Sequence, residues 1–224
     1  MIDLGTAYQD SRRRLTALVA ALPDDGGDRD PRSVDVACCP GWTVHDVVAH
    51  LASVADDVLE GRLTGPPNDE ETAAQVARWA GVPTGRVLDE WADRSPALEK
   101  LLSEVPVWPA LMDVLSHEHD VRQALGEPGA RDLPEIQTCA YVSLKWMLTS
   151  VDMGVTLDGR VMRPEGAEED DQLLGLDTTA WEAFRFRLGR RSRAQLQAMA
   201  WTGDPGPVLD RITVFGPSPR DITE

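Results

Sequence analysis

The eight residues Asp113-Val-Leu-Ser-His117-Glu-His119-Asp120 limit what this chain can fold into more than any other stretch. They lie in a helical pattern whose apolar positions are Leu111, Val114, Leu115, Val121 and Leu125. Asp113 and His117 are four apart, so their side chains stack on one helix face. His117 is three beyond Val114 and four before Val121, which turns it toward the apolar side. A carboxylate and an imidazole buried there are costly unless both find partners. The same spacing is how a helix offers two ligands to one metal ion. A third ligand has to come from another element.

The remaining histidines are His45 and His50. Both follow the turn Cys39-Pro-Gly-Trp-Thr43, where Thr43 can cap a helix and Asp46 completes a capping-box pattern. Val44, Val47, Val48, Leu51, Val54, Ala55 and Val58 mark the buried side of that helix, which runs to about Gly61. His50 falls between Val47 and Val54 and faces inward, whereas His45 sits in the first turn.

Three further patterns surround these two. Residues 3–22 are helical up to Pro23, and segments 69–80 and 84–104 are helical, with Pro83 and Pro96 interrupting or beginning turns. Pro109 suits the start of the helix from Ala110 to Leu125, and Gly126 with Pro128 stops it. Helices of this kind joined by loops predict an antiparallel four-helix bundle over residues 1–130. Residues 131–224 read as a small mixed α/β region. It holds a helix over 135–150, a hairpin from Gly154 to Met162 around Asp158-Gly159, and an acidic loop at 165–171. A helix from Thr179 to Ala200, broken near Gly189, and a last strand over Ile212–Phe215 complete it. The fold class is thus α+β, mainly α.

Composition narrows the partners. The chain has 224 residues and a net charge of -16, with 38 acidic against 22 basic side chains. Such a surface repels phosphate backbones, so no nucleic-acid partner is expected. No apolar stretch is long enough to cross a bilayer, and no signal peptide precedes the first helix. Three cysteines, two of them the adjacent Cys38 and Cys39, make no disulfide framework, so a reduced, cytoplasmic setting is expected.

His50, Asp113 and His117 form a two-nitrogen, one-oxygen set that suits zinc and leaves positions open for water or substrate. The alternative is that each inward histidine is a core residue bonded to a neighbour. Asp120, three beyond His117, either orients that ring or is a surface acid. Glu118 and His119 point away from the His117 face. Cys38 and Cys39 read as structural rather than as ligands. Arg185, Arg187, Arg190, Arg191 and Arg193 form the one basic cluster. It can grip an anion, with Arg190 as the anchor for a carboxylate and Arg187 and Arg191 for a cofactor arm. The alternative is an exposed face balancing the acidic loop.

Pro40-Gly-Trp-Thr-Val-His-Asp-Val-Val-Ala-His50-Leu and Asp113-Val-Leu-Ser-His117-Glu-His-Asp120-Val-Arg-Gln-Ala-Leu-Gly resemble the two signatures of the mycothiol-dependent maleylpyruvate isomerase family, which is related to the DinB-like bundles. The resemblance spans residues 1 to about 130. It implies a divalent metal, usually zinc, on His50, Asp113 and His117. In the maleylpyruvate isomerase itself the acid is glutamate, and Asp113 is one methylene shorter. The segment from Thr179 to Gln195 is similar to a region of uncharacterised members. The family implies a mycothiol-like thiol cosubstrate and a small electrophilic substrate for an isomerase or S-transferase, acting as a monomer or homodimer. A non-catalytic metal- or ligand-binding protein of the same fold, with a regulatory or partner-binding role, is the alternative.

Overall fold

The computed structural model describes residues 2–63, 65–168 and 171–224. The chain divides into two compact units, Met1–Gly129 and Ala130–Glu224.

The first unit is built from α1 (Leu4–Ala20), α2 (Val44–Leu59), α3 (Asp69–Ala77), α4 (Thr84–Glu104) and α5 (Trp108–Leu125). Helices α1 and α2 each pack against both α4 and α5, which closes a four-helix ring, and α3 lies on α2. Leu15, Val47, Leu51, Trp91, Leu98, Leu111 and Leu115 fill its core. The caps follow the sequence. Thr43 and Asp46 form a capping box at α2, and Gly126 ends α5 at φ 67°. Pro96 departs from expectation. Helix α4 runs through it without a break, and Ser95 Oγ donates to the Trp91 carbonyl one turn back. Burial of Trp91, Leu98 and Leu102 on either side of Pro96 outweighs the missing amide bond.

Helices α1 and α4 approach closely at Gly5. A Cβ there would stand 2.0 Å from the Glu99 carbonyl oxygen. Gly5→Ala must push the two backbones apart, and a loss of about 1–3 kcal/mol is expected, read as a lower urea midpoint.

The second unit holds α6 (Pro134–Met147), β1 (Gly154–Leu157), β2 (Arg160–Met162), β3 (Gly175–Thr178), α7 (Ala180–Arg187), α8 (Arg193–Gln197) and β4 (Ala200–Trp201). Its sheet has the order β2-β1-β3-β4. Strand β1 is antiparallel to β2 and parallel to β3, and β3 is antiparallel to β4. The hairpin turns at Asp158 and Gly159, both at positive φ, as an Asp-Gly turn requires. Val155, Leu157, Met162 and Leu176 are buried, and α6 packs on α7. Glu169 and Asp170 of the expected acidic loop lie outside the described residues.

Ile212–Phe215, expected as a strand, is not one. The Val214 amide donates to the Arg187 carbonyl at 2.7 Å, and Arg187 Nη1 donates to the Ile212 carbonyl. The β-branched run is spent on closing the end of α7, where unpaired helix carbonyls need donors. Strands β3 and β4 were not foreseen, being too short to show alternation.

Candidate metal centre

The site begins with a stiff turn ahead of α2. The Val36 amide donates to the Trp42 carbonyl, Cys39 to Val36, and Trp42 back to Cys39, with Gly41 at φ 85°. Only glycine adopts that φ without strain. The turn delivers the Trp42 indole to two imidazoles. Its ring centroid is 5.2 Å from His50, and it stacks on His117 at 6.0 Å with 23° between planes. The two imidazoles meet edge-on at 5.2 Å.

His50 on α2 and Asp113 and His117 on α5 are brought together, as the helical phases require. His50 Nε2 lies 3.5 Å from Asp113 Oδ2, and His117 Nε2 lies 3.4 Å from Asp113 Oδ1. Three ligands at about 2.0–2.2 Å from a tetrahedral ion would be spaced by about 3.4 Å. One ligand atom from each of the three residues lies within 4.8 Å of the others, so small side-chain shifts let them fit a divalent cation. The side chain of Asp113 is 29% exposed against 5% and 8% for the histidines, so solvent reaches the group from the carboxylate side.

Hydrogen bonds decide which imidazole nitrogens are available. Asp57 on α2 accepts from Gln75 Nε2 at 2.8 Å, from Arg62 Nε at 2.7 Å and from Arg78 Nη2 at 2.9 Å. An ionised carboxylate only accepts, so the Gln75 amide nitrogen must face Asp57 and its oxygen must face His50. The 2.9 Å contact between His50 Nδ1 and Gln75 Oε1 is therefore a hydrogen bond donated by Nδ1–H and accepted by the amide oxygen. Asp120 Oδ2, 3.0 Å from His117 Nδ1, has the same effect on the second ring. Both rings are left with Nε2 facing Asp113.

Electrostatics agree. Burial would raise Asp113, but His50 and His117 overturn that and hold it far below the usual carboxylate range. Burial would lower His117, yet Cys39, Asp113 and Asp120 raise it well above the ordinary imidazole value. A cation arriving at Nε2 thus displaces a proton. Asp57 is pushed up by burial but ends below its ordinary 3.8 through Gln75, Arg62 and Arg78. A depressed carboxylate adds stability above 3.8 that disappears as pH falls through its lower folded value. Asp57→Asn should therefore cost about 1 kcal/mol near neutral pH, and in urea melts the gap from wild type should narrow as pH falls below 3.8.

Several residues stand differently from their sequence reading. Asp120 is fully buried, not on the surface. Glu118 and His119 leave the His117 face but are buried too, because α5 packs on both α1 and α2. Glu118 accepts from Ser11, Arg14 and Arg122. His45 is buried, with Nδ1 2.9 Å from Thr84 Oγ1. Cys39, set aside as structural, has its sulfur 3.8 Å from His117 Nδ1 and 3.5 Å from Asp120 Oδ2. Gln75, Asp57 and Trp42 went unnoticed as site residues, since an amide or an indole carries no ligand signal.

The basic cluster belongs to the second unit. Its members Arg185, Arg187, Arg190 and Arg191 are buried, so the exposed-face alternative does not hold for them. Arg191 bonds Glu182 and Glu224, Arg185 bonds Glu224, and Arg190 Nη1 donates to the Leu188 carbonyl. Burial lowers Arg187 to about 10.

Among the described residues no helix is long and apolar enough to cross a membrane. No curated protein sequence matches the chain. Two crystal structures resemble it: the mycothiol-dependent maleylpyruvate isomerase and a histidine-to-alanine mutant of it. The first has a TM-score of 0.57 at 14% identity, covering 84% of this chain and 88% of that one. The mutant has a TM-score of 0.56 at 13% identity, covering 83% and 88%. At such identity the likeness shows the fold, a DinB-like bundle followed by a small mixed unit. The sequence profile of the mycothiol maleylpyruvate isomerase N-terminal domain matches residues 8–127, more than half of the chain, which therefore belongs to that family.

Proposed function

We propose that this chain is a zinc-dependent enzyme that uses a low-molecular-weight thiol such as mycothiol, and that it isomerises a small electrophile or, as an S-transferase, joins the thiol to it. The observation carrying this reading is the aim of two Nε2 atoms at the two oxygens of one carboxylate, 3.5 and 3.4 Å away, with both Nδ1 atoms engaged elsewhere. The thiol comes from the family and from the mycothiol dependence of the enzyme whose structures share the fold.

His50, Asp113 and His117 are the ligands. The ion they hold supplies Lewis acidity and favours a thiol sulfur as its thiolate, the nucleophilic form. Two neutral imidazoles and one carboxylate offset a single charge, leaving the site net positive and receptive to an anionic sulfur. Asp120 and Gln75 fix the two ring tautomers, and the Trp42 indole shields the ring faces from water. Carboxylate anchoring by Arg190, with Arg187 and Arg191 on a cofactor arm, remains a separate proposal. The described donors of these arginines already reach Leu188, Ile212, Glu182 and Glu224.

The test is elemental analysis of the purified chain followed by turnover of a panel of electrophiles with and without mycothiol. One zinc per chain and thiol-dependent turnover are expected. Turnover that ignores the thiol overturns the thiol reading, and zinc retained in both His50→Ala and His117→Ala overturns the ligand set. Zinc without any turnover is the result that the non-catalytic alternative requires.

A further inference from the structure

We propose a second cation site on the opposite edge of the His117 ring, formed by Cys39 Sγ, Asp120 Oδ2 and His117 Nδ1 and suited to a thiophilic divalent ion. It goes beyond the function proposed above and shares only His117 with that ligand set.

The separations are those of a ligand cage. Sγ to Oδ2 is 3.5 Å, Sγ to Nδ1 is 3.8 Å, and Nδ1 to Oδ2 is 3.0 Å. Around a tetrahedral ion with bonds of about 2.0–2.3 Å, such edges would be about 3.4–3.6 Å, so shifts of a few tenths of an ångström close the cage. All three atoms lie within 4.8 Å of one another.

The framework is rigid on both sides. His117 and Asp120, three apart on α5, share a face, and Cys39 is locked by the hydrogen-bonded turn that also places Trp42. Asp120 is fully buried while Cys39 is half-buried, so an ion enters past the sulfur and completes its shell with water. A thiolate makes this set softer than His50, Asp113 and His117. It favours zinc, cobalt(II) or cadmium over magnesium or manganese.

Proton accounting links the two sites. The ion displaces the Cys39 thiol proton to solvent, and the hydrogen bond from His117 Nδ1 to Asp120 gives way. Binding at Nδ1 needs its lone pair, so the Nδ1 proton of the metal-free ring also leaves to solvent, and the proton that stays on Nε2 is donated to Asp113 Oδ1 at 3.4 Å. His117 then serves one ion at a time. A soft cation on the Cys39 edge takes a ligand away from His50 and Asp113.

Cobalt(II) titration of the full, metal-stripped chain tests this, because a cobalt–thiolate bond gives a strong near-ultraviolet charge-transfer band. The band is expected in wild type, in Cys38→Ser and in His50→Ala, and is expected to vanish in Cys39→Ser. No band in wild type, or a band that survives Cys39→Ser, overturns the proposal. Circular dichroism shows that each variant is folded. The two readings fail differently. Cobalt bound equally by wild type and Cys39→Ser with no band leaves only the first site. A wild-type band with no cobalt bound by Cys39→Ser leaves only the second.

Discussion

With every protein compared carrying Cys39→Ser, so that the second site takes no zinc, His50→Ala is expected to lower zinc affinity by more than about 100-fold, or about 2.8 kcal/mol, in competition against a chromogenic chelator. Loss of a residue that only orients a ligand costs about 10- to 100-fold, and a ligand itself must cost more. Gln75→Leu supplies the internal scale. It leaves Nε2 of His50 in place but removes the oxygen that holds the Nδ1 proton, and a loss of about 10- to 100-fold is expected. The order Cys39→Ser parent, Gln75→Leu, His50→Ala in falling affinity is the signature of His50 as ligand and Gln75 as its orienting partner. Equal affinity for all three would mean that the rings are ordinary core residues.

Glu99→Ala should be strongly destabilising, by about 3–5 kcal/mol. Glu99 on α4 receives Arg12 Nε and Nη2 of α1 at 3.0 and 2.9 Å, together with Gln9 Nε2 at 2.7 Å. Both charged side chains are only 9% exposed, so alanine leaves a guanidinium buried without its counter-charge. The double variant Arg12→Leu with Glu99→Leu should recover most of the loss, because two apolar side chains need no partner. Urea unfolding measures both. A double variant no better than Glu99→Ala would mean that packing, and not charge, decides the cost.

What was legible in advance follows from the helical period. Asp113 and His117 are four apart, and His50 sits in the valine stripe of α2, so their convergence could be read from phase. The outer partners could not. Gln75 reaches His50 across 25 residues and Asp57 across 18, while Cys39 reaches His117 across 78. No local spacing encodes such pairs. Glu118 and His119 were misplaced because phase separates one helix face from another but does not count the neighbours. Helix α5 packs on both α1 and α2 and is buried all round at that level.

By itself the sequence determined the helices, their caps and the side chains that face the bundle, because periodicity and capping are local. Tertiary structure decided which nitrogen of each ring carries its proton, and it set Cys39 beside Asp120 and His117. It also turned Ile212–Phe215 from a strand into the closure of α7. The reason is common to all three. A buried donor or acceptor is satisfied by whatever packing brings within about 3 Å, and packing is a property of the whole chain.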